Sequence, residues 1–80
     1  MLEELSSRDK VIGVKQSRRA ISEGRARKAF FACDADPAVL EGLRCVCAEQ
    51  GIPTEESHSM SDLGRACRIS VGAAVAVLLK

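Results

Sequence analysis

Two short apolar runs constrain this 80-residue chain more than any other feature. After its first Lys, the stretch Lys28–Cys33 (Lys-Ala-Phe-Phe-Ala-Cys) has no polar residue, and neither has Ala73–Leu79 (Ala-Ala-Val-Ala-Val-Leu-Leu). A strand with one wet face alternates apolar and polar residues. A strand without that alternation is buried on both faces, so its sheet needs a layer of chain above and below. The segments between the runs carry helix signals, so helices supply those layers. The order along the chain is α-β-α-β-α-β-α-β. The expected fold is of the α/β class, a three-layer α/β/α sandwich around a four-stranded mixed sheet. A chain of this length is one domain, residues 1–80, with no room for a linker and a second core.

The individual elements follow from local chemistry. Leu2 and Leu5 flank Glu3 and Glu4 in a short N-terminal helix that ends near Ser6 and Ser7. Lys10-Val11-Ile12 is a minimal strand stopped by Gly13. Lys15–Glu23 has no breaker and ends at Gly24. At about 100° per residue, Val14, Ser17, Ala20 and Ile21 share one side of this helix, and Lys15, Gln16, Arg18 and Arg19 share the other. Asp36 is a good N-cap and Pro37 a good first helical residue. Val39, Leu40, Leu43, Val46 and Cys47 then form a core-facing stripe, Gly51 closes the helix and Pro53 prevents its return. Thr54–Ser57 is a polar strand suited to a sheet edge. Ser59-Met60-Ser61-Asp62 opens a short helix with a capping pattern, with Met60, Leu63 and Cys67 inside. Arg68–Gly72 is a loop, and Ala73–Leu79 is a central strand.

Catalysis needs converging groups, and few are present. His58 is the only histidine and reads as an exposed loop residue. No phosphate-cradling glycine motif and no nucleophile elbow occurs. The four cysteines show no Cys-x-x-Cys spacing. Cys45 and Cys47 point roughly 200° apart on a helix, so they cannot share a metal. Cys33 and Cys47 read as buried core thiols, with a zinc or redox site as the alternative. Asp34 and Asp36 form a carboxylate pair at a strand-to-helix turn, where capping accounts for Asp36. No catalytic residue, metal site or cofactor is expected.

Charge is unevenly spread. Arg8–Lys28 holds eight Lys/Arg and two Asp/Glu, Ala29–Gly64 holds seven Asp/Glu and one Arg, and Arg65–Lys80 adds three more positive residues. Such segregation is the footprint of a polyanion-facing surface or an ordinary solvated surface. With only two Phe, no Trp and no Tyr, aromatic stacking platforms for single strands are not available. Met1–Ser7 lacks the apolar core of a secretory signal. The run Val71–Leu79 is about half the roughly 20 residues a bilayer span needs. A cytoplasmic monomer with reduced cysteines and no membrane attachment is the expectation.

One constellation remains. A glycine opens a helix whose exposed face holds Lys15, Gln16, Arg18 and Arg19. Gly13 permits close backbone approach, and first-turn N–H groups favour an anion. Lys and Arg supply phosphate contacts, and Gln16 carries both a donor and an acceptor for a base edge.

Five segments in one consistent order carry a resemblance: Ile12–Ile21, the Ala-x-Asp-Ala-Asp-Pro turn at 32–37, Gly51-Ile52-Pro53, Leu63–Cys67, and Val71-Gly72-Ala73-Ala74. Together they resemble the kink-turn RNA-binding ribosomal proteins, the family of ribosomal protein L-seven-Ae and its L-thirty-e relatives, nearest the short bacterial YbxF-like branch. The resemblance runs from about Lys10 to Leu79. It implies an α/β/α sandwich and binding to kink-turns, sharply bent RNA motifs with tandem G·A pairs and an extruded nucleotide. Archaeal and eukaryotic members begin the helix after the Gly with Asn-Glu and place a Lys three residues after the Glu. The matching positions here are Lys15, Gln16 and Arg19.

By that resemblance, Lys15 and Gln16 face the G·A pairs, and Arg19 meets RNA backbone or a guanine edge. Gly13 allows the approach, and Asp36 contacts the extruded nucleotide. Ile69, Ser70 and Val71 pack against that nucleotide, with Gly72 fixing the turn. The exchange of Asn-Glu for Lys-Gln makes this site more cationic, and Arg for Lys at position 19 changes the geometry of the charge.

The expected function is non-enzymatic binding and stabilisation of kink-turns in structured RNA, in the ribosome or in a riboswitch-like RNA. The alternative is a protein-interaction adaptor on the same fold without RNA affinity. A third option, a piece of a larger RNA-modifying enzyme, is disfavoured by the initial Met and the terminal strand.

Overall fold

The computed structural model describes residues 9–80, so the expected helix at Leu2–Ser7 lies outside the described residues. Seven elements follow in order: β1 (Lys10–Ile12), α1 (Val14–Ser22), β2 (Ala26–Ala32), α2 (Pro37–Gln50), β3 (Thr54–His58), α3 (Met60–Ala66) and β4 (Val75–Leu79). The strands form one sheet in the order β1-β4-β2-β3. Strand β4 is antiparallel to β1 and β2, and β2 is parallel to β3, so the sheet is mixed. The two apolar runs are its two central strands, as burial on both faces requires, while the polar β3 lies at an edge.

Each face of the sheet carries its own core. On one side Ala29 and Phe31 of β2 and Val75 and Val77 of β4 pack with Ala20 and Ile21 of α1 and Leu40, Leu43 and Cys47 of α2. On the other, Phe30 and Ala32 of β2 and Ala76 and Leu78 of β4 pack with Leu63 of α3, Cys67 and Ala73. The result is the α/β/α sandwich. The adjacent phenylalanines, both fully buried, point to opposite faces because strand side chains alternate. Each contributes roughly 1.5–3 kcal/mol by burial, so one strand anchors both cores.

Strand β2 begins two residues before the apolar run, at Ala26. The register against β4 slips between Ala26 and Lys28, so Arg27 is an extra residue. That bulge turns Ala26 onto the same face as Ala29 and Phe31, where it is buried.

Three expectations need correction. Cys33 is exposed, not buried, because β2 ends at Ala32 and the chain turns there. Val39 is 40% exposed. The buried stripe of α2 is rotated toward Leu40 and Cys47, leaving Val39 and the half-buried Val46 on its other flank. His58 is not an exposed loop residue. It ends β3, is half-buried, and holds its Nε2 2.8 Å from Glu55 Oε2. The loop before β4 has its left-handed residue at Arg68, at φ 61°.

Candidate nucleic-acid interface

Strand directions decide what can meet. The C-terminal ends of β1, β2 and β3 and the N-terminal end of β4 lie at the same end of the sheet. Four connections emerge there: Gly13 into α1, Cys33–Asp36 into α2, Ser59 into α3, and the loop at 67–74 that feeds β4. Hydrogen bonds lace them together. Gly13 N–H donates to the Val75 carbonyl at 3.0 Å, Ala32 N–H to Ala74 at 2.9 Å, Cys33 N–H to His58 at 2.8 Å and Ala73 N–H to Met60 at 3.0 Å. The expected site segments, separate in sequence, therefore come to one end of the molecule.

Helix α1 starts there without a side-chain cap. Gly13 sits at φ 95° and ψ 157°, a conformation open essentially to glycine alone, and a Cβ there would point into open space. Ser17, Ala20 and Ile21 are buried, which turns Lys15, Gln16, Arg18 and Arg19 outward. Lys15 and Arg18 have no ion-pair partner among the described residues. Arg19 does: its Nε lies 3.3 Å from Glu23 Oε2.

The two aspartates of the turn are both engaged with helix starts. Asp36 Oδ1 accepts from Ala38 N–H at 2.9 Å and caps α2. Asp34 Oδ1 accepts from Met60 N–H at 2.8 Å, reaching across to the first residue of α3. Ser59 Oγ accepts from Asp62 N–H and completes the cap of that helix. The role of Asp34 was not legible in the sequence, because its partner lies 26 residues away.

The loop before β4 is held against α3. Ile69 N–H donates to the Gly64 carbonyl at 3.0 Å, and Ile69 is half-buried against the core of that face. Of the three expected apolar-loop residues, Ile69 thus turns inward, Ser70 is exposed, and Val71 is 68% exposed. Two glycines permit the close packing. A Cβ on Gly72 would lie 3.1 Å from Met60 Cβ, and one on Gly64 would collide with the Val71 carbonyl. A glycine inside a helix costs stability, but that signal alone does not single out Gly64, because Gly42 inside α2 has open space around it.

In the two cores and at the β2–β3 edge, thiols and a carboxylate serve the fold. Burial pushes the Cys47 thiol up, and likewise Cys67, with Lys10 pulling the latter slightly back. Burial by itself would raise the Glu55 carboxyl, but hydrogen bonds from Lys28 and His58 outweigh it and hold it below its ordinary range. No group of three or more His, Cys, Asp or Glu is placed to hold a metal among the described residues. Among the described residues, no helix is long and apolar enough to cross a membrane.

Known proteins share both the sequence and the architecture. Residues 2–80 match the model of the "Ribosomal protein L7Ae/L30e/S12e/Gadd45 family". RNA-binding protein YbxF of Geobacillus stearothermophilus is 41% identical over 70 residues, covering 88% of this chain and 85% of that protein. An RNA-binding protein of Bacillus pumilus is 39% identical over 70 residues, covering 86% and 85%. Among solved structures, the 15.5kD RNA binding protein of Giardia lamblia superimposes with a TM-score of 0.89 at 30% identity, over 99% of this chain and 68% of that one. With nearly its whole length matched, this chain belongs to the ribosomal protein L7Ae/L30e/S12e/Gadd45 family.

Proposed function

We propose that this chain is a non-enzymatic, single-domain RNA-binding protein that recognises and stabilises kink-turns in structured RNA, as a cytoplasmic monomer in the ribosome or on a riboswitch-like RNA. The observation that carries the reading is the exposed Lys15-Gln16-Arg18-Arg19 face at the uncapped start of α1, at the same sheet end as the exposed Val71. Relatives that are named RNA-binding proteins support it.

The parts divide the work. Arg18 meets phosphate, Lys15 faces the G·A pairs, and the open first turn behind Gly13 adds backbone donors. Gln16 offers a donor and an acceptor to the G·A pairs, and Arg19 takes a guanine edge. Val71 packs against the extruded nucleotide beside Ile69, Ser70 and Gly72, and Asp36 lies at the acidic turn. A protein with these contacts binds the bent RNA better than the extended one, so it shifts the RNA population toward the bend.

The test is binding to a kink-turn RNA and to a copy with its G·A pairs replaced by Watson–Crick pairs, at two salt concentrations. Selective binding to the intact RNA, weakening with salt, supports the reading. Equal, salt-labile binding to both reduces the helix to an electrostatic patch and brings the adaptor function forward. Arg19→Ala is expected to cost about 1–3 kcal/mol of binding free energy if the guanidinium reads a guanine. No loss in the double variant Gln16→Ala/Arg19→Ala moves the site elsewhere.

A further inference from the structure

At the end of α1 lies a feature that the RNA-contacting residues do not themselves explain. Glu23 grips two guanidinium groups at once: its Oε2 lies 3.3 Å from Arg19 Nε and its Oε1 2.9 Å from Arg25 Nε. The hydrogen bond from Arg19 is the main influence holding the Glu23 carboxyl below its ordinary range, against an opposing effect of desolvation and with help from Arg25.

The second arm of this relay stands on fixed backbone. Gly24 turns the chain at φ 71°. Arg25 N–H donates to the Ala20 carbonyl at 3.0 Å, and the Arg25 carbonyl accepts from Lys80 N–H at 2.9 Å. Arg25 thus holds one carboxylate oxygen of Glu23, and the other is aimed at Arg19.

We infer that Glu23, braced by Arg25, is a positioning residue that turns Arg19 toward a guanine edge and away from phosphate. This rests on the RNA-binding reading above and deepens it. A guanidinium has two hydrogen-bonding edges of different use. With Nε taken by Glu23, the Nη1/Nη2 fork is left, and two parallel donors match O6 and N7 of guanine. A phosphate is drawn to positive charge from any direction, and the nearby carboxylate opposes it. Arg19 is 73% exposed at its side chain, and an exposed pair of this kind adds little to stability. Its consequence lies in orientation.

The experiment measures the ratio of affinities of the full chain for a kink-turn RNA and for the copy without G·A pairs. The variants are Glu23→Gln, Arg25→Gln, Arg19→Ala and the double Arg19→Ala/Glu23→Gln, with thermal melts to verify folding. The two relay variants change net charge in opposite directions. Both are nevertheless expected to lower the ratio, on the order of 5-fold, a part of what a bidentate guanine contact discriminates. In the Arg19→Ala background, Glu23→Gln is expected to lower it no further. Parallel changes for both RNAs, stronger with Glu23→Gln and weaker with Arg25→Gln at a constant ratio, overturn the inference and leave only a charge effect. A native chain that fails to discriminate between the RNAs overturns the RNA reading and this inference with it.

Discussion

At the residue scale, the same missing Cβ serves three different ends. Gly42 sits in the exposed face of α2 with nothing near its would-be Cβ. Gly42→Ala is expected to stabilise the chain by about 0.4–1 kcal/mol, since the unfolded state loses freedom and the helix loses nothing. Gly13 also has open space around it, yet its φ of 95° makes Gly13→Ala cost about 1–3 kcal/mol. Gly64→Ala drives a methyl into the Val71 carbonyl, which forces the loop off α3. Thermal melts rank the three: Gly42→Ala above the native protein, Gly13→Ala and Gly64→Ala below it. Only Gly64→Ala is expected to loosen the loop as well, seen as faster amide exchange at Ile69 and Ala73, two of the residues whose N–H groups tie it to the helix. A composition count treats these glycines alike, and only the backbone around each one separates them. Cys33 illustrates the same limit. Its apolar neighbours suggested burial, but one residue of strand more or less decides whether a thiol faces the core or the solvent.

At the element scale, the turn at 33–36 supplies a capping carboxylate to the start of both α2 and α3. Asp36 caps the helix that follows it, and Asp34 the helix that follows the next strand. Replacing either with Ala is expected to lower stability by about 0.5–2 kcal/mol, the cost of a lost cap. Asp36→Asn keeps the acceptor and is expected to melt like the native protein. RNA affinity separates the two positions: if Asp36 lies in the interface, Asp36→Ala weakens binding at temperatures where both variants are folded, and Asp34→Ala does not. Equal affinities would confine both aspartates to capping. Elements with local signals were legible in the sequence. The Asp36-Pro37 start, the Gly51 stop and the Ser59 cap depend on neighbours within a few residues, and the structure has all three. What was not legible depends on distant partners: the bulge at Arg27 is set by pairing with β4, and the rotation of the α2 stripe by where the sheet lies beneath it. The candidate site divides the same way. The cationic face of α1 could be read from helical periodicity, whereas the Arg25–Glu23–Arg19 relay needed the turn geometry.

At the scale of the whole molecule, pH and ligand act on the same folding equilibrium in separable ways. Glu55 bridges Lys28 Nζ at 3.2 Å and His58 Nε2 at 2.8 Å at the β2–β3 edge. Its carboxyl is held below the ordinary 4.5, so the unfolded chain binds protons more readily. The contribution is complete above about that pH and is lost as pH falls through the lowered folded value. Because the groups are partly exposed, Glu55→Gln is expected to cost at most about 1 kcal/mol at neutral pH and to flatten the acid limb of the stability curve below 4.5. An unchanged acid limb would assign the acid sensitivity to other carboxylates. RNA acts at the opposite end of the argument. The candidate interface is laced to the sheet by backbone hydrogen bonds, so it is built when the fold is built, and a ligand that binds only the folded chain stabilises it by mass action. At a free RNA concentration of 100 times Kd the gain is about 2.7 kcal/mol, which for a domain of this size raises Tm by roughly 10–20 °C. Leu78→Ala, fully buried in the core on the sheet face away from α1, provides the control. It removes core contacts near the end of β4 that pairs with Lys10 and should lower the melt without changing Kd. Kink-turn RNA is then expected to raise the Tm of native protein and variant by a similar increment, and the RNA without G·A pairs to raise neither. An increment that shrinks markedly in the variant would mean that the interface is not built by the sheet alone and is completed only when RNA binds.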